Sequence, residues 1–256
     1  MNKRIKFVLT SLILSLGFVA INFLDEQYKF TSIGILGIIS LILFVWSLRE
    51  GLGLNMTLVT LILPYLFTVS VGLFWFLLPA DFLTRIWVVI FFGLGIYALC
   101  LTMNVYTVSA IRTIALLRAA RGVGFILTLV TCFLIYDTIL SLRVHIFAVS
   151  GMVFLTSLML FMQGFWSIDL GKSLSKKVFD VSLIASLIVG EISIAMFFWP
   201  VSVVVGSLFF TVGVYILLGL GQAYLEGRLF VQTVRDYLTL GAFVFIVMFL
   251  ATKWGV

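Results

Sequence analysis

FFTVGVYILLGLGQAY, residues 209–224, repeats without a gap an earlier stretch, FFGLGIYALCLTMNVY at residues 91–106, at a shift of 118 residues. Phe-Phe, Gly, Tyr, Leu and a closing Tyr coincide, with Ile96 against Val214 and Asn104 against Gln222 as conservative matches. Both runs are long, apolar and free of proline, so they read as one membrane helix used twice.

Composition widens that reading to the whole chain. Hydrophobic residues make up 63% of the 256 residues and charged residues 10%, where a soluble domain carries about 45–50% and about 25%. At roughly 20 residues per crossing, the sequence predicts an all-α polytopic integral membrane protein with no room for a separate soluble domain of about 50 residues or more. Nine spans follow: about Phe7 to Leu24, Phe30 to Leu48, Asn55 to Leu78, Ile86 to Met103, Gly122 to Leu142, Val144 to Trp166, Val178 to Trp199, Val201 to Leu225 and Tyr237 to Thr252. The first resembles a signal sequence but lacks a small-x-small cleavage site and is followed at once by a second span, so it reads as a retained helix. The connection Asn104 to Arg121 holds no Pro or Gly before its end and is expected to prolong the fourth helix.

Lys and Arg concentrate in cytoplasmic segments of membrane proteins. With the N-terminus inside, the inner segments hold Lys3, Arg4, Lys6, Arg49, Arg112, Arg118, Arg121, Lys172, Lys176, Lys177, Arg228 and Arg235, and the outer ones hold Lys29, Arg85, Arg143 and Lys253. Twelve against four predicts a cytoplasmic N-terminus and an outside C-terminus, in a bacterial-type plasma (inner) membrane. It also accounts for the net charge of +6 without nucleic acid as a partner.

The repeat extends beyond the opening stretch. Trp46-Ser47 recurs as Trp166-Ser167, and Pro79 as Pro200. A shift near 119 maps spans one to four onto five to eight, a parallel 4+4 arrangement with repeat one at 1–121, repeat two at 122–236 and an added ninth span at 237–256. Parallel halves of this kind occur among transporters.

An Asp or Lys at the centre of a membrane helix costs about 2.5–3.5 kcal/mol on insertion scales, so intramembrane acids mark the places where chemistry can sit. Glu191 lies near the middle of the seventh span with no basic residue within helical reach. Asp180, Ile184, Leu187, Glu191 and Ala195 share one stripe at 100° per residue, a candidate lining for a cation or proton path. The plainer alternative is a Glu191 carboxyl hydrogen-bonded across to another helix and an Asp180 paired with Lys176 one turn back. On the eighth span Ser207, Thr211, Tyr215 and Gln222 form a polar seam, partly matched by Tyr97 and Asn104 on the fourth. Such groups either line a cavity or join helices at about 1 kcal/mol each. Ser182, Ser186 and Gly190 give the seventh helix a small face suited to close packing.

Asp137, Arg143 and His145 cluster where the fifth span turns into the sixth, on the predicted outer side; the plain reading is a solvated loop with Asp137 paired to Arg143. His145 is the single histidine, which excludes multi-His metal sites. Cys100 and Cys132 fall in apolar segments and read as small buried hydrophobes. No CxxC, HExxH, GxSxG or acidic DxD cluster occurs, and the GLG triplets at 93–95 and 219–221 lack the strand-helix setting of a nucleotide loop. No cofactor is expected.

Two functional readings remain. The first is a transport or permeation module for a small solute or ion, in which Glu191 faces a water-accessible cavity at the interface of the halves. The alternative is a non-catalytic membrane subunit or scaffold that packs with partner membrane proteins or with a second copy, in which Glu191 is buried against a helix. A lipid-modifying membrane enzyme is a weaker third reading, since the usual cluster of His, Asp or Cys is missing.

Overall fold

The computed structural model describes residues 3–21, 23–49, 54–78, 82–109, 115–170 and 174–252. Pro79, Arg112, Lys172 and Lys253 lie outside the described residues. Within them the chain is all-helical: α1 (Lys3–Ile21), α2 (Glu26–Leu48), α3 (Leu54–Trp75), α4 (Phe82–Ser109), α5 (Leu117–Ser141), α6 (Ile146–Asp169), α7 (Lys176–Phe197), α8 (Val203–Leu225) and α9 (Val231–Ala251). Eight helices are long and apolar enough to cross a membrane, and α3 contributes a shorter apolar stretch, Val59–Trp75. In hydrocarbon every backbone N–H and C=O must be satisfied within its own segment, which is why apolar runs of this length fold as helices.

The helices outrun the expected spans in places. The α4 helix continues six residues beyond Met103 into the connection expected to prolong it, to Ser109, and α9 begins at Val231, six residues before the expected Tyr237. Hydropathy locates the part of a helix that suits hydrocarbon, whereas hydrogen bonding continues into polar flanks such as Arg235 and Asp236 until a cap or a break ends it. Local capping fixes two of the starts. Ser175 Oγ accepts the N–H of Val178 (3.3 Å) ahead of α7, and His145 Nδ1 accepts the N–H of Ala148 (3.3 Å) at the start of α6.

Two compact units divide the chain within α5, between Thr131 and Cys132. In the first, α1 packs on α2 and α4, and α2, α3 and α4 pack on one another. Its centre is aromatic: the Phe18 ring meets Trp75 edge-on at 4.9 Å and Phe92 at 5.0 Å, and Phe67 stacks on Phe92 at 6.0 Å. Aromatic pairs of this geometry add about 0.5–1.5 kcal/mol beyond their buried area. Tyr106 Oη closes the unit by donating to the Ala120 carbonyl on α5 (3.2 Å).

In the second unit α6, α7 and α8 pack on one another, and α9 packs on α8. The expected small face of α7 is what lets α6 approach: Ser182, Ser186 and Gly190 are buried, and Ser150 Oγ on α6 donates to the Gly190 carbonyl (2.9 Å). Of the α9 residues only Met248 is buried. Its two ends are held by the Tyr215–Tyr237 ring contact at 5.4 Å and by the bond from Trp199 Nε1 to Thr252 Oγ1 at 2.8 Å.

Candidate functional site

The α7 packing decides where Glu191 points. Successive helical residues turn by 100°, so a helix that buries Ser182, Ser186 and Gly190 against α6 turns Glu191 away from it. Asp180, Ile184, Leu187, Glu191 and Ala195 are all exposed. The stripe drawn from the sequence is therefore one face, and it is the outward face of the unit. Glu191 is flanked there by Leu187 and Ile194, both exposed, and makes no hydrogen bond or ion pair among the described residues. Asp180 likewise forms no ion pair with Lys176. The groove beside it is lined by Ile188, Val189 and Ile192, and Glu191 itself is exposed on the face of α7 turned away from α6.

The polar seam of α8 reaches three neighbours. Ser207 Oγ donates to Asp137 Oδ1 on α5 at 3.2 Å. Tyr215 meets Tyr237 on α9, and Gln222 Nε2 donates to the Gly164 carbonyl on α6 at 3.2 Å. Thr211 Oγ1 donates within its own helix to the Ser207 carbonyl. In the first unit Tyr97 and Asn104 are half-buried, with no side-chain hydrogen bond among the described residues. These groups are therefore spread over several helix contacts instead of converging on one cavity.

Asp137, Arg143 and His145 separate. Asp137 lies inside α5, only 5% exposed, while Arg143 and His145 are exposed in the turn that follows. Asp137 and Arg143 make no ion pair. Ser207 takes the place of Arg143 as the partner of Asp137, because the α5 helix runs on to Ser141 and carries residue 137 below the turn. Arg143 itself adopts φ 50°, which helps reverse the chain between α5 and α6.

Sequence reading passed over the buried pair Tyr136 and Ser157, whose hydroxyls lie 2.8 Å apart between α5 and α6. The signal was available as two polar residues inside apolar spans, but neither carries a charge. Cys100 and Cys132 are buried and free. Among the described residues no three His, Cys, Asp or Glu side chains group as a metal site requires.

Residues 8–251 match the family described as "Protein of unknown function (DUF5656)". The match covers nearly the whole chain, so the protein belongs to that family. No curated protein and no solved structure matches it.

Proposed function

We propose that this chain is a non-catalytic membrane subunit that packs with partner membrane proteins through the outward face of α7. The observation that carries the reading is the position of Glu191. It sits six residues from the end of α7, about 9 Å along the axis at 1.5 Å per residue, on a stripe of Ile, Leu and Ala. A carboxyl in hydrocarbon is costly and is normally paired or turned to a protein interior. Here no group among the described residues reaches it, and on this reading the partner comes from outside.

The test is site-specific photocrosslinking in native membranes from Leu187 and Ile194, which flank Glu191, and from Phe243, exposed on α9. Defined protein adducts are expected at the α7 positions and lost in Glu191→Leu. Adducts equal at all three positions, or unchanged in Glu191→Leu, remove the reading.

The proposal includes the membrane and the topology: a plasma membrane, with the N-terminus and the Lys176 end of α7 on the cytoplasmic side, a reading supported by the distribution of Lys and Arg. It includes the 4+4 repeat as well. Supporting the repeat, Phe92 and Phe210, Ile96 and Val214, and Cys100 and Leu218 are buried pairs at the shift of 118. The mutual packing of α2, α3 and α4 also has the same pattern as that of α6, α7 and α8.

The transport or permeation reading is favoured by a different observation, the Asp137 carboxyl held by Ser207 inside the second unit. It expects proton or solute flux in reconstituted protein that falls in Asp137→Asn or Glu191→Gln. Flux absent from the wild type, or unchanged in both variants, eliminates it.

A further inference from the structure

Along the second unit, α7, α8 and α9 leave two apolar grooves that meet at Ile188 and Leu217, which line both. One holds about 370 Å³ and reaches Phe209 and Phe245. The other holds about 340 Å³ and ends at Tyr224 and Leu229. Phe209 and Tyr224 are fifteen residues apart on α8, about 22 Å at 1.5 Å per residue. One leaflet of a hydrocarbon core roughly 30 Å thick supplies about 15 Å, so a chain lying along both grooves crosses the midplane.

The Tyr224 end is where the cations stand. The Lys177 ammonium lies 4.6 Å from the centre of the Tyr224 ring. Arg228 and Arg235 adjoin the lining residues Leu229 and Val234 in sequence. The acids at this end are Asp180, Glu226 and Asp236; Glu226 Oε2 lies 3.9 Å from Arg228 Nη1. Lys177 and Arg235 make no ion pair among the described residues.

Between the two ends the floor is open at Gly213. A Cβ added there would meet nothing within 4 Å, and its backbone is helical. Neither a close neighbour nor an unusual backbone conformation requires glycine at this position, and glycine inside a helix weakens it. What the missing side chain leaves is space in an apolar groove.

We propose that this groove binds a lipid phosphate carrying a single hydrocarbon chain long enough to pass the midplane, the chemistry of a polyisoprenyl phosphate. The chain lies past Gly213 and the phosphate meets the Lys177 ammonium. Lysine serves phosphate as a compact, mobile point charge, and the cation stands over Tyr224 at the mouth of the groove. An apolar lining gives no purchase to a polar ligand, and a neutral hydrocarbon gives Lys177 nothing to pair with. The combination of the two ends selects a lipid with a charged head.

The experiment is native mass spectrometry of the full-length chain in mild detergent, titrated with four probes: a long-chain polyprenyl phosphate, the same polyprenol without phosphate, geranyl phosphate, and phosphatidylglycerol. The long-chain phosphate is expected to be retained most tightly. Lys177→Gln weakens it by about tenfold or more, the loss of one hydrogen bond to a charged group, and leaves the polyprenol unchanged. Gly213→Leu weakens both long-chain probes while the unfolding midpoint stays at or above that of the wild type. Phosphatidylglycerol retained as tightly as the polyprenyl phosphate overturns the chain-length assignment, making the groove an ordinary phospholipid contact. Retention unaffected by Gly213→Leu overturns the site altogether.

Discussion

Two glycines of α8, eight residues apart, place the same substitution in opposite surroundings. A Cβ at Gly221 would lie 2.4 Å from the Phe165 ring of α6. That ring is fully buried and stacked on Phe161 at 5.6 Å, so it has little freedom to withdraw. Overpacking of this kind costs about 1–3 kcal/mol, of which up to about 1 kcal/mol is recovered from the better helix propensity of alanine. The net for Gly221→Ala is a loss of roughly 1–2 kcal/mol. At Gly213 the new methyl meets nothing within 4 Å, and only the propensity gain remains, about 0.4–1 kcal/mol. The two variants should therefore differ by roughly 2 kcal/mol, or about 4–8 °C in unfolding midpoint at 2–4 °C per kcal/mol for a chain of this size. Thermal unfolding in mild detergent, followed by tryptophan fluorescence, measures the gap. Equal midpoints, or Gly221→Ala as the more stable variant, would show that α6 and α8 are not in the close contact from which the second unit is built.

Further predictions concern the polar contacts inside that unit. Tyr136→Phe removes the hydroxyl bond to Ser157 and should lower stability by about 0.5–1.5 kcal/mol; a double-mutant cycle with Ser157→Ala, read by the same unfolding assay, should return a coupling of that order. Ser207→Ala leaves the buried Asp137 carboxyl without its hydroxyl donor and should cost about 1–3 kcal/mol. Asp137→Asn keeps an acceptor in place and should cost less, so an unfolding midpoint lower for Asp137→Asn than for Ser207→Ala counts against Ser207 as its essential partner.

The helices were legible because hydrocarbon imposes one rule on every span, and a run of apolar residues reports where that rule applies. The small face of α7 was legible for a related reason: Ser182, Ser186 and Gly190 recur at helical spacing, and few arrangements other than close packing use them. The orientation of Glu191 was harder to read. Residues facing lipid and residues facing protein are equally apolar in a membrane bundle, so hydrophobic periodicity, which reports the buried face of a soluble helix, is silent here. The α9 helix illustrates the point, with one buried residue in an apolar run no different in character from α6. Asp137 was misplaced by a different cause. Its neighbours Arg143 and His145 are close in sequence, but α5 runs to Ser141, and three or four residues of helix are enough to move a side chain from a turn into a core. Separations as long as the seventy residues between Asp137 and Ser207 leave no local trace.

The two matching stretches, 91–106 and 209–224, differ in what surrounds their shared glycine. Gly95 and Gly213 occupy the same place at the shift of 118, yet a Cβ at Gly95 would lie 2.4 Å from the Phe67 ring, while Gly213 faces open space. At the same shift Phe67 on α3 corresponds to Ala185 on α7, which lines the groove beside Ile188 and Leu217. In the first stretch the glycine lies against a phenyl ring, and in the second the matching glycine faces no such ring. On the proposed 4+4 repeat the groove corresponds to a packed core with one side chain deleted, which predicts how to close it. Ala185→Phe should direct a ring towards Gly213, filling space that now holds no protein atoms, and so abolish retention of a long-chain lipid. If the cavity accepts the ring, the unfolding midpoint holds or rises, since burying a phenyl group contributes about 1.5–3 kcal/mol. A loss of about 1–3 kcal/mol, the usual cost of forcing a larger side chain into an occupied core, would refute this account, because it would mean that α7 and α8 already pack as tightly at Ala185 as α3 and α4 do at Phe67.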